Sequence, residues 1–416
     1  MPHIQTDPQS WRRRNAPGAV ILVGGLGTRL GSLTAATPKP LIEVGGAPFL
    51  DVLLRELGRR GITRIHLLAG FQAEKVGAYA RDSAVARQLG LEITVHVEPH
   101  KAGTGGALWH AREALPEEFL LMNGDSWFDF DLLDFLSRAP REETWLARLA
   151  LRSLPDTSRY GIVELEKGYV TGFKPRPEQP GAGLVNAGVY HMRRAIIERL
   201  SADCSLEDAI FPVLAKEGLL LGIPYEGFFI DIGIPEDLAR ADSLIPAKLR
   251  RPAVFLDRDG VIDVDHGYVS TIDRFEWMPG AREAIRHLNR TGHYVFVVTN
   301  QAGVARGYYR EEDVMALHRW IGDELAAIGA HIDDLRYCPC HPEGVVESYK
   351  CTSGWRKPEP GMILDLMASW PVDIAHSFLI GDQETDLAAA RAAGIPGHLF
   401  DHVSLEALVH RLLLPA

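Results

Sequence analysis

The chain has 416 residues, 46% of them hydrophobic, enough for two or three domains with full apolar cores. Its formal net charge of −11 and pI near 5.8 exclude general nucleic-acid binding, so an anionic substrate has to be met by locally placed Arg and Lys. No apolar run approaches the roughly 18 residues that span a bilayer, and the stretch 1–15, with Arg12, Arg13 and Arg14, lacks a signal-peptide core, so a cytoplasmic protein is expected.

Residues 1–16 read as a flexible tail. The apolar strand Ala19–Val23 then enters Gly24-Gly25-Leu26-Gly27-Thr28-Arg29-Leu30. These glycines leave backbone N–H groups open to phosphate oxygens, and Arg29 adds a fork-shaped permanent charge. By themselves they equally suit a tight strand-to-helix turn. A dinucleotide loop is ruled out because Leu30 stands at the last glycine of G-x-G-x-x-G, and a P-loop because no Gly-Lys-Ser/Thr follows. A helix is predicted over 48–60, with Phe49, Leu50, Leu53, Leu54 and Leu57 on one face, then strands at 64–69, 91–97 and 119–122.

A boundary is expected near 245–252, where two prolines and a basic cluster interrupt the apolar pattern; it gives a first domain over 17–245, a linker over 246–252 and a second domain over 253–416. The rhythm then repeats: strand 253–256, helix 281–289, strand 294–299, helix 311–328, strand 377–380 and helix 385–393. Strand–helix alternation predicts α/β architecture in both halves, each a doubly wound, mostly parallel sheet with ligands beyond the carboxyl ends of its strands.

Thr37-Pro38-Lys39-Pro40-Leu41, Gly103-Thr104-Gly105-Gly106-Ala107 and Asn123-Gly124-Asp125 follow the glycine loop in order. The series resembles the sugar-1-phosphate nucleotidyltransferase family, in particular guanylyltransferases acting on mannose- or heptose-1-phosphates. The resemblance implies that Gly24, Gly25, Gly27 and Gly105 line the nucleotide and that Arg29 and Lys39 hold its triphosphate. It also implies that Asp125 and Asp231 hold Mg²⁺, that Lys174 meets the sugar phosphate, and that Asn186 and Gly188 line the sugar. Phe173 stands where the family often has Glu. The physical chemistry agrees: attack of a sugar phosphate on an α-phosphate gathers negative charge, which positioned cations neutralise.

In the second half, Asp257-Arg258-Asp259-Gly260 ends a strand and is followed by Thr299-Asn300-Gln301, Arg356-Lys357-Pro358 and Gly381-Asp382-Gln383-Glu384-Thr385-Asp386. This set resembles haloacid dehalogenase-type phosphatases, most closely those acting on heptose 1,7-bisphosphate and histidinol phosphate. The resemblance implies Asp257 as nucleophile, Asp259 as general acid and base, Thr299 and Asn300 at the phosphoryl group, Lys357 neutralising charge, and Asp257, Asp259 and Asp382 around Mg²⁺. Asp386 reads as a supporting or helix-start residue. Arg306 and Arg356 are candidates for the substrate's distal phosphate. Cys338, Cys340, His341 and Cys351 are expected to bind structural Zn²⁺, although Cys340 stands where relatives have His and extra residues follow Cys351. A degenerate loop with buried thiols is the competing reading.

Joined, the halves imply a bifunctional enzyme. The second removes the 7-phosphate of a heptose 1,7-bisphosphate, and the first couples heptose 1-phosphate to GMP from GTP, giving GDP-heptose and pyrophosphate. The partners expected are an NTP and a phosphorylated heptose, with no nucleic acid and no membrane; a homo-oligomer is compatible. The alternatives are a mannose-1-phosphate-type nucleotidyltransferase fused to another sugar phosphatase, or a regulatory nucleotide-sugar-binding protein.

Overall fold

The computed structural model describes residues 16–25, 30–31, 37–138 and 144–414. Gly27 and Arg29, expected at the nucleotide phosphates, lie outside the described residues. Contacts divide the chain into two compact units, one from 16–58 and 62–246, the other from Ala247 onward with 59–61.

The first unit is built on a nine-stranded sheet. In chain order its strands, with one small ribbon, are β1 (Gly18–Leu22), β2 (Arg64–Ala69), β3 (Glu92–Val97), β4 (Glu118–Asn123), β5 (Ser126–Asp129), β6 (Ala147–Leu154), β7 (Ile162–Glu166), β8 (Tyr169–Lys174), β9 (Gly183–Arg193), β10 (Leu220–Tyr225) and β11 (Phe228–Asp231). The sheet runs β3-β2-β1-β4-β9-β6-β10-β8-β7, while β5 and β11 pair separately. β3, β2, β1 and β4 are parallel, and β9 turns the sheet antiparallel on both of its sides. The sheet is therefore mixed: its doubly wound part is parallel, and β6 to β10 extend it as an antiparallel-rich flank. Phe49, Leu50, Leu53, Leu54 and Leu57 are all fully buried, as their spacing on helix Phe49–Arg59 requires. Helix Pro235–Leu249 runs through part of the expected linker with Pro246 inside it. Pro246 packs against the backbone of Gly45, where an added Cβ would collide with its ring.

The second unit has five parallel strands, β12 (Ala253–Leu256), β13 (Tyr294–Asn300), β14 (Asp334–Cys338), β15 (Phe378–Gly381) and β16 (Gly397–Leu399), in the order β14-β13-β12-β15-β16. The order reverses between β12 and β15, which opens a crevice at their carboxyl ends. In the first unit the equivalent reversal lies between β1 and β4. Both sets of motif residues sit at these reversals.

Helix Glu311–Ala327 buries His318, only 2% exposed, whose Nδ1 faces the Val314 carbonyl at 2.8 Å. Burial, helped by the charge of Arg258, pushes its pKa down to about 3. The folded value lies below the ordinary value of 6.5, so the contribution to stability is full above that pH and is lost as pH falls toward 3. Between pH 7.5 and 5.5 the second unit should lose about 1 kcal/mol from this group. Thermal melts of wild type and His318→Leu over that range should show a shallower pH slope in the variant; equal slopes would dismiss the assignment.

Candidate active sites

In the first unit, the ribbon of β5 and β11 pairs Ser126 with Asp231, and Ile232 N–H donates to the Asp125 carbonyl at 2.9 Å. This places Asp231 beside Asp125. Lys39 Nζ lies 2.7 Å from Asp125 Oδ2. A Cβ on Gly233 would come within 2.8 Å of both Asp231 Oδ1 and Lys39 Nζ, and within 3.4 Å of Asp125 Oδ2, so all three charged groups converge over that glycine. Burial, reinforced by the neighbouring Asp125 charge, pushes the Asp231 carboxyl up to about 6. Two adjacent carboxylates, one of them raised by proximity to the other, form a hard-oxygen donor pair that suits a divalent cation.

Asn186 and Gly188 adjoin Asn123 and Ser126. They lie in the irregular stretch of β9, where Gly188, with φ of +73°, faces Asn123 and Ser126 and leaves no room for a Cβ. Asn186 Oδ1 accepts from Gly188 N–H at 3.0 Å, and its Nδ2 donates to Tyr190 Oη at 2.9 Å. Gly24 packs against the carboxylate of Glu98, which sequence reasoning did not single out; burial raises the Glu98 pKa. Among the described residues, nothing lies within 4 Å of a Cβ placed on Gly25.

Two of the expected residues have other partners here. Gly105 is buried and its N–H donates to the Cys204 carbonyl at 3.0 Å, so it packs helix Gly103–Ala111 against the 200–206 segment instead of offering that N–H to a ligand. Lys174 is exposed and ion-paired with Glu164 across the β7–β8 hairpin; among the described residues it makes no ion pair with Asp125 or Asp231.

In the second unit, Asp257 ends β12, and its N–H donates to the Ile380 carbonyl at 3.1 Å. Lys357 Nζ bridges Asp257 Oδ2 at 2.7 Å and Asp386 Oδ1 at 2.6 Å, and is almost wholly buried. Burial raises the Asp257 carboxyl against the pull of Lys357, while Asp257 and Asp386 hold the ammonium charged. Asp257, Asp382 and Asp386 present carboxylate oxygens within 4.8 Å of one another. Gly260, with φ of +83°, lies so close under Asp382 that any Cβ would collide with its carboxylate. The oxygen donors fit Mg²⁺ or a similar hard cation.

Two expected residues spend their side chains elsewhere in this geometry. Asn300 spends its side-chain amide on Lys357, its Oδ1 accepting from Lys357 N–H at 3.0 Å and its Nδ2 donating to the Lys357 carbonyl at 3.1 Å. It therefore anchors the lysine instead of facing a phosphoryl group with that amide. Asp259 does not join the carboxylate cluster, because Oδ1 accepts from Arg258 Nη2 at 2.6 Å and Oδ2 from Gln301 Nε2 at 2.8 Å. Thr299 Oγ1 lies 3.5 Å from the same Asp259 oxygen. The supporting reading of Asp386 holds in both forms, since it binds Lys357 and also accepts from Gln383 N–H at the helix start.

Arg306 lies 3.4 Å from His341 Nε2, and Arg356 donates to the Cys340 carbonyl at 3.5 Å; burial and, in smaller part, the Arg306 charge lower the Arg356 pKa. Tyr268 and Tyr308, both exposed, meet edge to face at 4.8 Å. The four-ligand zinc arrangement is not formed. Cys340 and Cys351 are joined sulfur to sulfur, with Cα atoms 5.5 Å apart, so they do not stand as separate thiolates. His341 Nδ1 accepts from Glu343 N–H at 3.1 Å, and Cys338 is a buried free thiol.

No helix of the described residues is long and apolar enough to cross a membrane. Residues 18–248 match the nucleotidyl transferase family model, and residues 354–401 match a HAD-hydrolase-like model. A 165-residue stretch, 40% of this chain, is 55% identical to the D-glycero-beta-D-manno-heptose-1,7-bisphosphate 7-phosphatase of Rhodopseudomonas palustris and covers 92% of that protein. The same-named protein of Escherichia coli K12 is 44% identical over 144 residues, 35% of this chain and 75% of its own length. Among solved structures, HddC from Yersinia pseudotuberculosis complexed with GMP-PN superimposes with a TM-score of 0.50 at 29% identity, over 55% of this chain and all of that one. The chain is a two-part enzyme, a transferase followed by a phosphatase. It belongs to the nucleotidyl transferase family through residues 18–248, and its other half belongs with the D-glycero-beta-D-manno-heptose-1,7-bisphosphate 7-phosphatases.

Proposed function

We propose that the second unit removes the 7-phosphate of a D-glycero-D-manno-heptose 1,7-bisphosphate and that the first transfers GMP from GTP to the resulting heptose 1-phosphate. The observation that carries this reading is the presence, in one chain, of a 165-residue stretch 55% identical to one heptose-bisphosphate phosphatase and a nucleotidyl transferase unit similar to a protein solved with GMP-PN. The product of one unit is then the substrate of the other.

In the phosphatase, Asp257 attacks phosphorus and the bond to the sugar oxygen breaks. Asp259 gives that oxygen its proton and later takes one from the water that hydrolyses the aspartyl-phosphate. Lys357, held by Asn300 and Asp386, offsets the charge gathered around Asp257. Arg306 and Arg356 offer a place for the distal phosphate. In the transferase, Lys39, together with Arg29, meets the triphosphate, and Asn186 and Gly188 line the sugar. Mg²⁺ at Asp125 and Asp231, and at Asp257 and Asp382, supplies charge neutralisation when bound. Magnesium-dependent use of phosphorylated sugars and GTP suits a cytoplasmic enzyme.

The test is to incubate the full chain with each anomer of heptose 1,7-bisphosphate and each NTP in turn, identifying products by mass. The expected result is phosphate release followed by a GDP-heptose and pyrophosphate, with one anomer serving both units. Phosphate release without any nucleotide sugar from any NTP would sink the coupled reading. Metal content of the same preparation addresses zinc, which stays a proposal resting on three sulfurs in one short loop. About one zinc per chain under reducing conditions supports it, whereas a metal-free, fully active phosphatase leaves the sulfur pair alone.

A further inference from the structure

Gln301 has no part in the chemistry above, yet it is 1% exposed and touches the acid–base residue. Its Nε2 donates to Asp259 Oδ2 at 2.8 Å and to Thr299 Oγ1 at 2.9 Å, and its Oε1 accepts from the Tyr309 hydroxyl at 2.7 Å. The ionised Asp259 carboxylate can only accept, which fixes the amide with its NH₂ toward Asp259 and its oxygen toward Tyr309, so the phenolic proton is directed at Gln301. The Tyr309 ring lies flat against Gly303, where any Cβ would collide with it. On the other side, Arg258, fully buried, donates to Asp259 Oδ1 and to the Val269 carbonyl, each at 2.6 Å.

We propose that Tyr309 and Gln301 form a positioning relay that holds the Asp259 carboxyl in the orientation from which it protonates the departing sugar oxygen. The inference rests on Asp259 being the acid–base group. Each Asp259 oxygen accepts from a buried donor, one from the guanidinium and one from the amide, so rotation about Cβ–Cγ breaks both bonds. Oδ2 also takes the longer 3.5 Å bond from Thr299 Oγ1, which leaves the second lone pair of Oδ1 for the transferred proton. Removing Gln301 leaves Oδ2 with only the longer 3.5 Å bond from Thr299 Oγ1, so the carboxyl is held firmly on the Arg258 side alone.

Leaving-group dependence separates this role from a structural one. The ratio kcat/KM covers binding through phosphoryl transfer to Asp257, with a proton needed by a sugar alkoxide but not by p-nitrophenolate. In the full-length protein, Gln301→Leu should lower kcat/KM for heptose 1,7-bisphosphate by about tenfold to a hundredfold, through kcat more than KM, a fraction of what general acid catalysis supplies. For p-nitrophenyl phosphate the loss should be several times smaller. Tyr309→Phe, which keeps the ring against Gly303, should show the same split at smaller size, and serves if the Gln301 variant folds poorly. Equal losses on both substrates, or none, would overturn the relay. Asp259→Asn is measured alongside. If it lacks the leaving-group split, the assignment of Asp259 has failed; if it shows the split while both other variants do not, the relay alone has failed.

Discussion

Asp257→Asn is expected to end phosphate release while leaving nucleotidyl transfer at its wild-type rate. The loss should reach several orders of magnitude, because the substituted carboxylate is the nucleophile proposed to form the covalent bond to phosphorus. Asparagine keeps the size of the side chain, and the Arg258 N–H that now donates to Asp257 Oδ1 at 2.7 Å can still find an amide oxygen. Lys357 keeps Asp386 as a partner at 2.6 Å, so the buried ammonium is not stranded. The fold should therefore survive and the effect should be chemical. The measurement is inorganic phosphate from heptose 1,7-bisphosphate, beside pyrophosphate from GTP and heptose 1-phosphate. Phosphatase activity within tenfold of wild type would reject a covalent mechanism through Asp257.

Asp125→Ala should do the reverse. It removes one of two carboxylates converging over Gly233 and strips Lys39 of its ion pair at 2.7 Å. Pyrophosphate release should fall by about a thousandfold, on the order of 4 kcal/mol at about 1.4 kcal/mol per tenfold, in keeping with the several kcal/mol a bound cation contributes. The Asp231 carboxyl, pushed up to about 6 partly by Asp125, should move back toward the ordinary carboxylate range, visible as a shift in its NMR titration. Phosphate release should be untouched, since every residue of that site lies between 257 and 386. Parallel loss of both activities would show that the two sites do not work independently.

These motif positions were legible because Gly24, Asp125, Asp257 and Asp382 each follow a short apolar strand, and doubly wound sheets put such strand ends at the site. Strand 253–256 and helix 281–290 follow directly from that patterning. Helix Pro235–Leu249 was hidden by Pro246, a residue that normally stops a helix and here is held by packing on Gly45. The roles of Asn300 and Gln301 were hidden for another reason. A polar side chain near a motif reads as facing the ligand, whereas Asn300 faces the backbone of Lys357 and Gln301 faces Asp259. Lys174 shows the converse, since a lysine after a family-like glycine gives no sign that Glu164 on the neighbouring strand will hold it.

Each catalytic set is drawn wholly from one stretch of chain, 24–233 for the transferase and 257–386 for the phosphatase. One translation event therefore yields both catalysts in a fixed one-to-one ratio. Supply and demand for the shared intermediate cannot be balanced by making more of one enzyme. Balance has to come from the turnover numbers themselves, so a mutation that slows the transferase leads to accumulation of monophosphate, and one that slows the phosphatase starves its neighbour.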